Sequence, residues 1–189
     1  MKNFLKIHDC LDVMPLLLAI SRRPSLWKDD TYLRDYPQGP FKEVETIMLR
    51  FPVKSVHETE DELKKHVITF DQHESVDYPA YKILPEARTL IMFLMARVGG
   101  ERLGRCMINK INPKGRIFPH ADTPSHAEYY SRYHIVIKSN DSSMFRCDDE
   151  VVNMKTGEVW WFNNSLEHEV RNEGDDERIH LIVDIRCSQ

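Results

Sequence analysis

Residues 118–122 (FPHAD) place two side chains that bind metals, His120 and Asp122, two positions apart. In extended backbone, residues i and i+2 point to the same side of the chain, so both groups can approach one small object. A second histidine, His168, lies 48 positions downstream of His120. Two imidazoles and one carboxylate on one face of a metal, with positions left open, form the ligand set of non-haem Fe(II) oxygenases. The sequence therefore predicts an iron site built from His120, Asp122 and His168.

The His-x-Asp pair is weak evidence by itself, because about 0.7 such pairs are expected by chance in a chain of this composition. A surface histidine beside an aspartate is one alternative, and capping of the turn at 121–124 by Asp122 is another. Three features together favour the metal site: the distal His168, Arg178 ten residues after it, and a strand-rich C-terminal half.

The composition is that of an ordinary globular protein, with 41% apolar and 30% charged residues. A length of 189 residues favours one domain over 1–189, with a helical and mixed support region over 1–100 and a strand-rich core over 101–189. The net charge of −4 argues against nucleic acid as a partner, because phosphate binding usually needs a basic face.

The cysteines and the length of the longest apolar run indicate in which cellular compartment the protein is expected. The four cysteines form no C-x-x-C pair, which favours free thiols in a reducing environment: Cys10, Cys106, Cys147 and Cys187. The longest apolar run, 13–20, is too short to span a membrane. We therefore expect a cytoplasmic protein with no membrane partner.

Hydrophobic periodicity predicts helices in the first half of the chain and strands in the second. Helices are expected over 9–22, over 85–98 and, from the possible capping box at 59–62, in a charged segment that follows. A strand is expected over 44–53. From residue 101 the pattern alternates and predicts strands at 101–111, 132–138, 143–147, 150–154, 157–162, 167–172 and 178–186. We predict a mainly β fold with α-helices, a cupin-like double-sheet jelly roll (double-stranded β-helix) whose N-terminal helices pack outside it.

Two segments could cover a pocket at the predicted iron site. The aromatic segment 21–42 is either a surface loop or a flap, and residues 123–131 begin beside the metal. His126, Tyr129 and Tyr130 are therefore candidates to line the substrate pocket, with plain surface connections as the alternative. Because successive strand residues alternate faces, either Trp160 and Phe162 or Trp161 alone can face the interior, where we expect core packing in preference to an aromatic binding site.

Residues 101–186 resemble the aspartyl/asparaginyl β-hydroxylase family of Fe(II)- and 2-oxoglutarate-dependent oxygenases, in its bacterial and phage-type branch. The resemblance covers about half of the chain, and its blocks follow in order at 112–113, 118–120, 132–134, 157–162, 166–170 and 178–184. It implies Fe(II), 2-oxoglutarate and O2 as cofactor and cosubstrates.

The resemblance also implies roles for individual residues. His120 and His168 match the iron-binding histidines, and Asp122 restores a carboxylate at a position where animal members carry glycine. Arg178 matches the arginine that binds the distal carboxylate of 2-oxoglutarate. Asn109 stands at the position of a family residue that helps this arginine to bind the carboxylate. The pair Arg132 and His134 matches an Arg-x-His pair near the cosubstrate; His134 could alternatively be a core histidine. His180 shares the strand face of Arg178 and is expected to support it or the core.

On this basis we expect a dioxygenase that hydroxylates a C–H bond of an amino acid, a peptide side chain or a related small substrate. A cupin-like metal-dependent isomerase or hydrolase is one alternative, and a non-catalytic binding module is the other, because fold alone does not fix function. The identity of the substrate stays open at this point.

Overall fold

The computed structural model describes residues 2–37, 39–53, 71 and 73–187, and within them the chain forms two antiparallel sheets and several short helices. The strands are β1 Phe4–His8, β2 Val44–Phe51, β3 Val76–Asp77, β4 Gly100–Ile111, β5 Arg116–His120, β6 Ser131–Lys138, β7 Ser143–Cys147, β8 Glu150–Val152, β9 Val159–Phe162, β10 His168–Asn172 and β11 Arg178–Cys187. The helices are α1 Met14–Ser21, α2 Tyr32–Asp35, α3 Pro79–Ile83, α4 Pro85–Val98 and α5 Pro124–Tyr129, with a 3-10 turn at Pro24–Trp27.

The two sheets face each other, as the predicted jelly roll requires. The larger sheet has the order β1-β9-β6-β11-β4-β2-β3, and the smaller has the order β5-β10-β7-β8. One apolar core lies between the sheets and includes Val136, Phe145 and Phe162. A second core lies between the larger sheet and the helices. The mainly β fold with helices packed outside is therefore confirmed.

The central strand β11 is buried on both faces, and its two faces differ in chemistry. Side chains on one strand alternate between faces. The outward side chains are aliphatic and join the helix-side core: Ile179, Leu181, Val183 and Ile185. The inward side chains are mostly polar: Arg178, His180, Ile182 and Asp184, all buried. This inward row is what brings charged groups into the space between the sheets.

Helix α4 has the bounds predicted for it. Pro85 occupies its first turn, and the helix ends at Gly99, whose φ of +65° is a left-handed conformation that glycine adopts without strain. Ile91 and Leu94 are fully buried against the outer face of the larger sheet.

The N-terminal region departs from the predictions in two ways. Strand β1 was not predicted, and it pairs with β9 at the edge of the larger sheet. Together with β2 it extends that sheet into residues assigned to the support region. Helix α1 begins at Met14, later than predicted, because Pro15 has no backbone N–H and fits only the first turn.

Other predictions have mixed outcomes. Strands β8 and β9 are shorter than predicted, and the charged helix near residues 59–62 lies outside the described residues. All four cysteines are free thiols. No helix among the described residues has the length and apolarity needed to cross a bilayer.

Candidate metal centre

His120, Asp122 and His168 meet in the space between the sheets. His120 ends β5, His168 begins β10, and the two residues are paired partners across these strands. Their ring centroids are therefore only 4.3 Å apart. Asp122 follows two residues after His120, and one ligand atom from each of the three side chains lies within 4.8 Å of the other two. This is the grouping that the sequence predicted.

The same local hydrogen bond orients each histidine. His120 Nδ1 lies 2.8 Å from the carbonyl oxygen of Phe118, and His168 Nδ1 lies 2.9 Å from that of Leu166. Since a carbonyl oxygen can only accept, Nδ1 carries the proton in both rings. The lone pair of each imidazole is therefore on Nε2, and the hydrogen bond at the other nitrogen fixes the ring, as is usual for histidine ligands of metals.

Burial keeps both imidazoles neutral. It lowers the pKa of His120 below its ordinary value. Burial, together with the neighbouring His120, lowers the pKa of His168 to about 4. Neutral imidazole is the form that binds a metal.

Asp122 is held from one side by a buried arginine. Arg132 Nη1 lies 2.7 Å from Asp122 Oδ2, and the side-chain amide of Asn164 donates a hydrogen bond of 2.8 Å to the same oxygen. Burial is the largest influence and acts to raise the pKa of Asp122, but the Arg132 charge and the weaker effects of Asn164 and His168 together outweigh it, so the pKa lies below its ordinary value. Both contacts use Oδ2, which leaves Oδ1 for a metal. Two Nε2 atoms and one carboxylate oxygen fit Fe(II) in both donor type and number.

Arg132 connects the metal centre to a second buried carboxylate. Its Nε and Nη2 atoms lie 2.7 and 2.9 Å from the two oxygens of Asp184, and His126 Nε2 lies 2.8 Å from Asp184 Oδ2. Burial alone would raise the pKa of Asp184, but Arg132 and His126 hold it far below its ordinary value. The positive charge of Arg132 is therefore shared between two carboxylates.

Arg178 is a buried cation without a carboxylate partner. Its side chain is 2% exposed, and its Nη2 atom donates a hydrogen bond of 3.0 Å to His180 Nδ1. Among the described residues, no Asp or Glu forms an ion pair with it. Burial lowers the pKa of Arg178 to about 9, so the group stays charged at neutral pH. A buried charge is costly unless it is paired, so this arrangement is suited to an anionic ligand.

Two unused hydrogen-bond donors stand close to Arg178 on the larger sheet. Asn109 lies opposite His180 in the β4–β11 pair. Its Oδ1 accepts a hydrogen bond of 3.0 Å from Thr46, whereas its Nδ2 is buried without a partner in the part of the chain that the structure describes. Because His180 Nδ1 accepts from Arg178, the proton of His180 is on Nε2, which also lacks a partner there. His134 Nδ1 lies 3.2 Å from His180 Nδ1.

A cavity of about 70 Å³ adjoins the three metal-binding side chains. Its polar wall also contains Arg105, Asn109, Arg132 and His134, and its apolar wall includes Leu33, Phe41, Phe51, Met107 and Ile182. Arg178 is not part of the cavity wall. Its guanidinium lies 6.0 Å from the ring centroid of Phe145, and Phe145 does line the cavity.

The predicted site residues thus fall into one region, with two corrections to the predicted surroundings. Tyr129 and Tyr130 do not line the cavity: Tyr129 stacks on His73 at 3.9 Å between ring centroids, and Tyr130 donates to the His73 carbonyl. His126 is buried on Asp184 instead of offering a donor to a substrate. The aromatic segment 21–42 does reach the cavity, through Leu33 and Phe41.

Sequence reasoning missed three residues of this region: Arg105, Asp184 and Asn164. Two of them could have been found from the alternation of side chains along a strand. Asp184 shares the inward face of β11 with Arg178, and Arg105 shares that of β4 with Asn109. Asn164 lies in the turn before β10, where no periodic signal exists.

Residues 42–187 match a protein-family model described as aspartyl/asparaginyl beta-hydroxylase. This confirms the resemblance seen in the sequence. The chain is 26% identical over 81 residues to an L-proline cis-4-hydroxylase of Rhizobium meliloti; the match covers 43% of this chain and 29% of that protein's length.

Two solved structures share the fold at low sequence identity. One is AviO1 from Streptomyces viridochromogenes, with a TM-score of 0.55, 14% identity, and coverage of 97% of this chain and 89% of that chain. The other is the viral collagen prolyl hydroxylase vCPH from Paramecium bursaria Chlorella virus-1, with a TM-score of 0.52, 11% identity, and coverage of 99% and 97%.

Proposed function

Because this chain belongs to the aspartyl/asparaginyl β-hydroxylase family, we propose that it is an Fe(II)- and 2-oxoglutarate-dependent dioxygenase that hydroxylates a C–H bond of an amino acid, a peptide side chain or a related small substrate. The matched residues include every strand from β2 to β11 and hence every residue predicted to bind the metal or the cosubstrate. The similarity to an L-proline hydroxylase supports an amino acid as the substrate. We also propose that residues 1–189 act as one domain, because β1 and β2 complete the same sheet as the later strands.

In this proposal His120, Asp122 and His168 hold the iron. Their neutral imidazoles and single carboxylate match the donor set, and Arg132 with Asn164 keeps the carboxylate turned toward the histidines. Arg132 then serves to position Asp122 and not to bind a free anion, because its charge is already shared by two aspartates.

Arg178 would bind the distal carboxylate of 2-oxoglutarate. Asn109 Nδ2 and His180 Nε2 are the two further donors available to the cosubstrate on the same sheet, and His134 supports His180. When bound, iron and 2-oxoglutarate would supply the oxidising chemistry, in which dioxygen is consumed and succinate and carbon dioxide are released.

The apolar wall of the cavity would shield the metal site from water. Phe145, Phe162 and Val170 line the cavity together with the metal-binding side chains and would limit the access of water to them. A dry site strengthens the charge interactions inside it and limits side reactions of the oxidant. The protein's contribution is therefore to bind, orient and shield, whereas the cofactor carries the oxidation.

The observation that carries this proposal is the buried guanidinium of Arg178, which has no carboxylate partner in the described part of the chain and lies on the sheet opposite the metal-binding histidines. A cupin-like isomerase or hydrolase needs the metal but has no use for an arginine reserved for a dicarboxylate. A non-catalytic binding module gives no reason to keep both features together. The oxygenase explains the two at once.

The experiment measures succinate after Fe(II), 2-oxoglutarate and O2 are added to the purified protein. The reaction is run with a panel of free amino acids that includes L-proline and, in parallel, with blocked peptides of the same residues. Arg178→Met should abolish most succinate formation, whereas the exposed Arg22→Met should not. If no succinate forms either with or without these substrates, the protein is not an oxygenase of this kind.

A further inference from the structure

A second guanidinium in the cavity, that of Arg105, has no assigned role. Arg105 lies on β4 and lines the cavity together with Met107 and Asn109 from the same strand face. His120 and Asp122 line the same cavity, so Arg105 lies close to the metal site.

Arg105 has no direct ion-pair partner in the part of the chain that the structure describes. Its Nε atom is buried without a hydrogen-bond partner, and no carboxylate forms an ion pair with it among residues 2–37, 39–53, 71 and 73–187. The two carboxylates whose charges reach it, Asp184 and Asp122, are both paired with Arg132. Burial is the main influence on Arg105 and lowers its pKa. A desolvated cation in this state is suited to an anion that enters from outside.

On one side, Arg105 adjoins apolar side chains of the cavity wall. Its guanidinium lies 5.1 Å from the ring centroid of Phe51, over the face of an aromatic residue that also lines the cavity. Phe51 and Leu33 pack against a small buried cluster that contains Met107 and Ile182. These four apolar side chains all line the cavity. Arg105 therefore offers one charged fork at the edge of an apolar wall.

The number of cations near the metal site indicates that a second anionic ligand binds in addition to the cosubstrate. The dicarboxylate cosubstrate of the proposed function uses the iron for one carboxylate and Arg178 for the other, so it leaves Arg105 unpaired. Arg105, in the described cavity wall, is then a cation for which neither the cosubstrate nor a described carboxylate supplies a partner. A planar guanidinium binds a carboxylate through two parallel hydrogen bonds, which fixes the orientation of the bound acid.

We propose that Arg105 binds the free α-carboxylate of the substrate, and that the substrate is a free amino acid with a compact apolar side chain. The carboxylate would sit on Arg105, and the apolar body would contact Phe51, Met107 and Ile182. An internal residue of a peptide has no free α-carboxylate and would leave the cation unpaired. This inference rests on the proposed function and narrows its substrate class.

The test uses the amino acids of the succinate panel, each with its carboxamide, on wild type, Arg105→Met and Arg105→Lys. Wild type should prefer an acid over its carboxamide by roughly 10–100-fold in KM, since hydrogen bonds to charged groups contribute about 1.5–3 kcal/mol. Arg105→Met should raise the KM for the acid by a similar factor and treat acid and amide alike. Arg105→Lys should fall between them, because it keeps the charge but not the fork.

Binding is measured as well as turnover, because a structural role would change both ligands. Affinity for 2-oxoglutarate, titrated anaerobically with Fe(II), should stay within about twofold of wild type in Arg105→Met, while the affinity for the free amino acid falls. Arg102→Met is the matched control, since Arg102 lies on the same strand but contacts Asp71 and Tyr129 outside the cavity.

Three results would overturn the inference: blocked peptides that stimulate succinate formation when no free amino acid does, acid and amide affected equally by Arg105→Met, or a loss of 2-oxoglutarate affinity in that variant. Failure of the proposed function looks different, because wild type would then make no succinate under any condition. Circular dichroism and thermal unfolding establish that each variant is folded.

Discussion

Replacing Arg178 with methionine removes the charged fork and keeps most of the apolar stem of the side chain. Each charge-assisted hydrogen bond contributes about 1.5–3 kcal/mol, and a bidentate contact with a carboxylate places the expected loss near 3 kcal/mol. At about 1.4 kcal/mol for each factor of ten, the affinity for 2-oxoglutarate should fall by roughly 10²-fold. Anaerobic calorimetric titration of 2-oxoglutarate into the Fe(II)-loaded protein measures this directly, with Arg22→Met as the control.

The same substitution should have the opposite effect on the ligand-free protein. Arg178 is 2% exposed and has no carboxylate partner among the described residues, so its burial costs stability in the absence of a ligand. The ligand-free variant should therefore unfold at a temperature equal to or above that of wild type. Addition of 2-oxoglutarate at about 100 times its Kd should stabilise wild type by about 2.7 kcal/mol and leave the variant almost unchanged. A variant that is strongly destabilised without ligand, or that keeps wild-type affinity for 2-oxoglutarate, would refute the assignment of Arg178.

Four other substitutions test the metal site and the structure around it. His168→Ala should abolish Fe(II) binding, whereas Asp122→Ala should only weaken it, because both imidazole ligands remain in that variant; an anaerobic Fe(II) titration decides this, and unchanged affinity in His168→Ala would contradict the proposed site. Asp184 has a folded-state pKa far below the unfolded value of about 3.9, so its stabilisation is full above that value and is lost as the pH falls below it. Asp184→Asn should thus be less stable at pH 7 by about 3–5 kcal/mol and lose less stability than wild type on acidification below about pH 4, measured by urea unfolding at each pH. Gly104→Ala should cost about 1–3 kcal/mol in the same assay, because the added Cβ would lie 2.8 Å from two ring atoms of Tyr130; unaltered stability would mean that Tyr130 can move aside.

Local signals in the sequence were sufficient to predict that His120 and Asp122 lie close together and where helix α4 begins and ends. His120 and Asp122 are two residues apart on an extended segment, so their convergence follows from strand geometry alone. The bounds of α4 follow from Pro85 at its start and Gly99 at its end. Such features depend on a few consecutive residues, and they were predicted correctly.

Features that depend on pairing between distant strands could not be obtained in this way. Arg132 pairs with Asp184 because β6 and β11 align these two residues, and a single sequence does not specify that register. Strand β1 pairs with β9 across more than 150 positions of the chain and carries little local signal. For Tyr130 a local signal existed: Pro124 suits the first turn of a helix, and that helix carries the tyrosine away from the cavity.

The alternating faces of β11 tie the activity of this protein to the assembly of its fold. A slip of one residue in this strand would push Arg178, His180 and Asp184 into the aliphatic layer beneath the helices and expose four aliphatic side chains to the polar interior. Misaligned chains therefore meet a large energetic penalty, and the charged residues enforce one pairing during folding. We expect a descendant that has lost its iron-binding histidines, and with them its chemistry, to retain Arg132 and Asp184, since their contribution to correct strand alignment does not depend on catalysis.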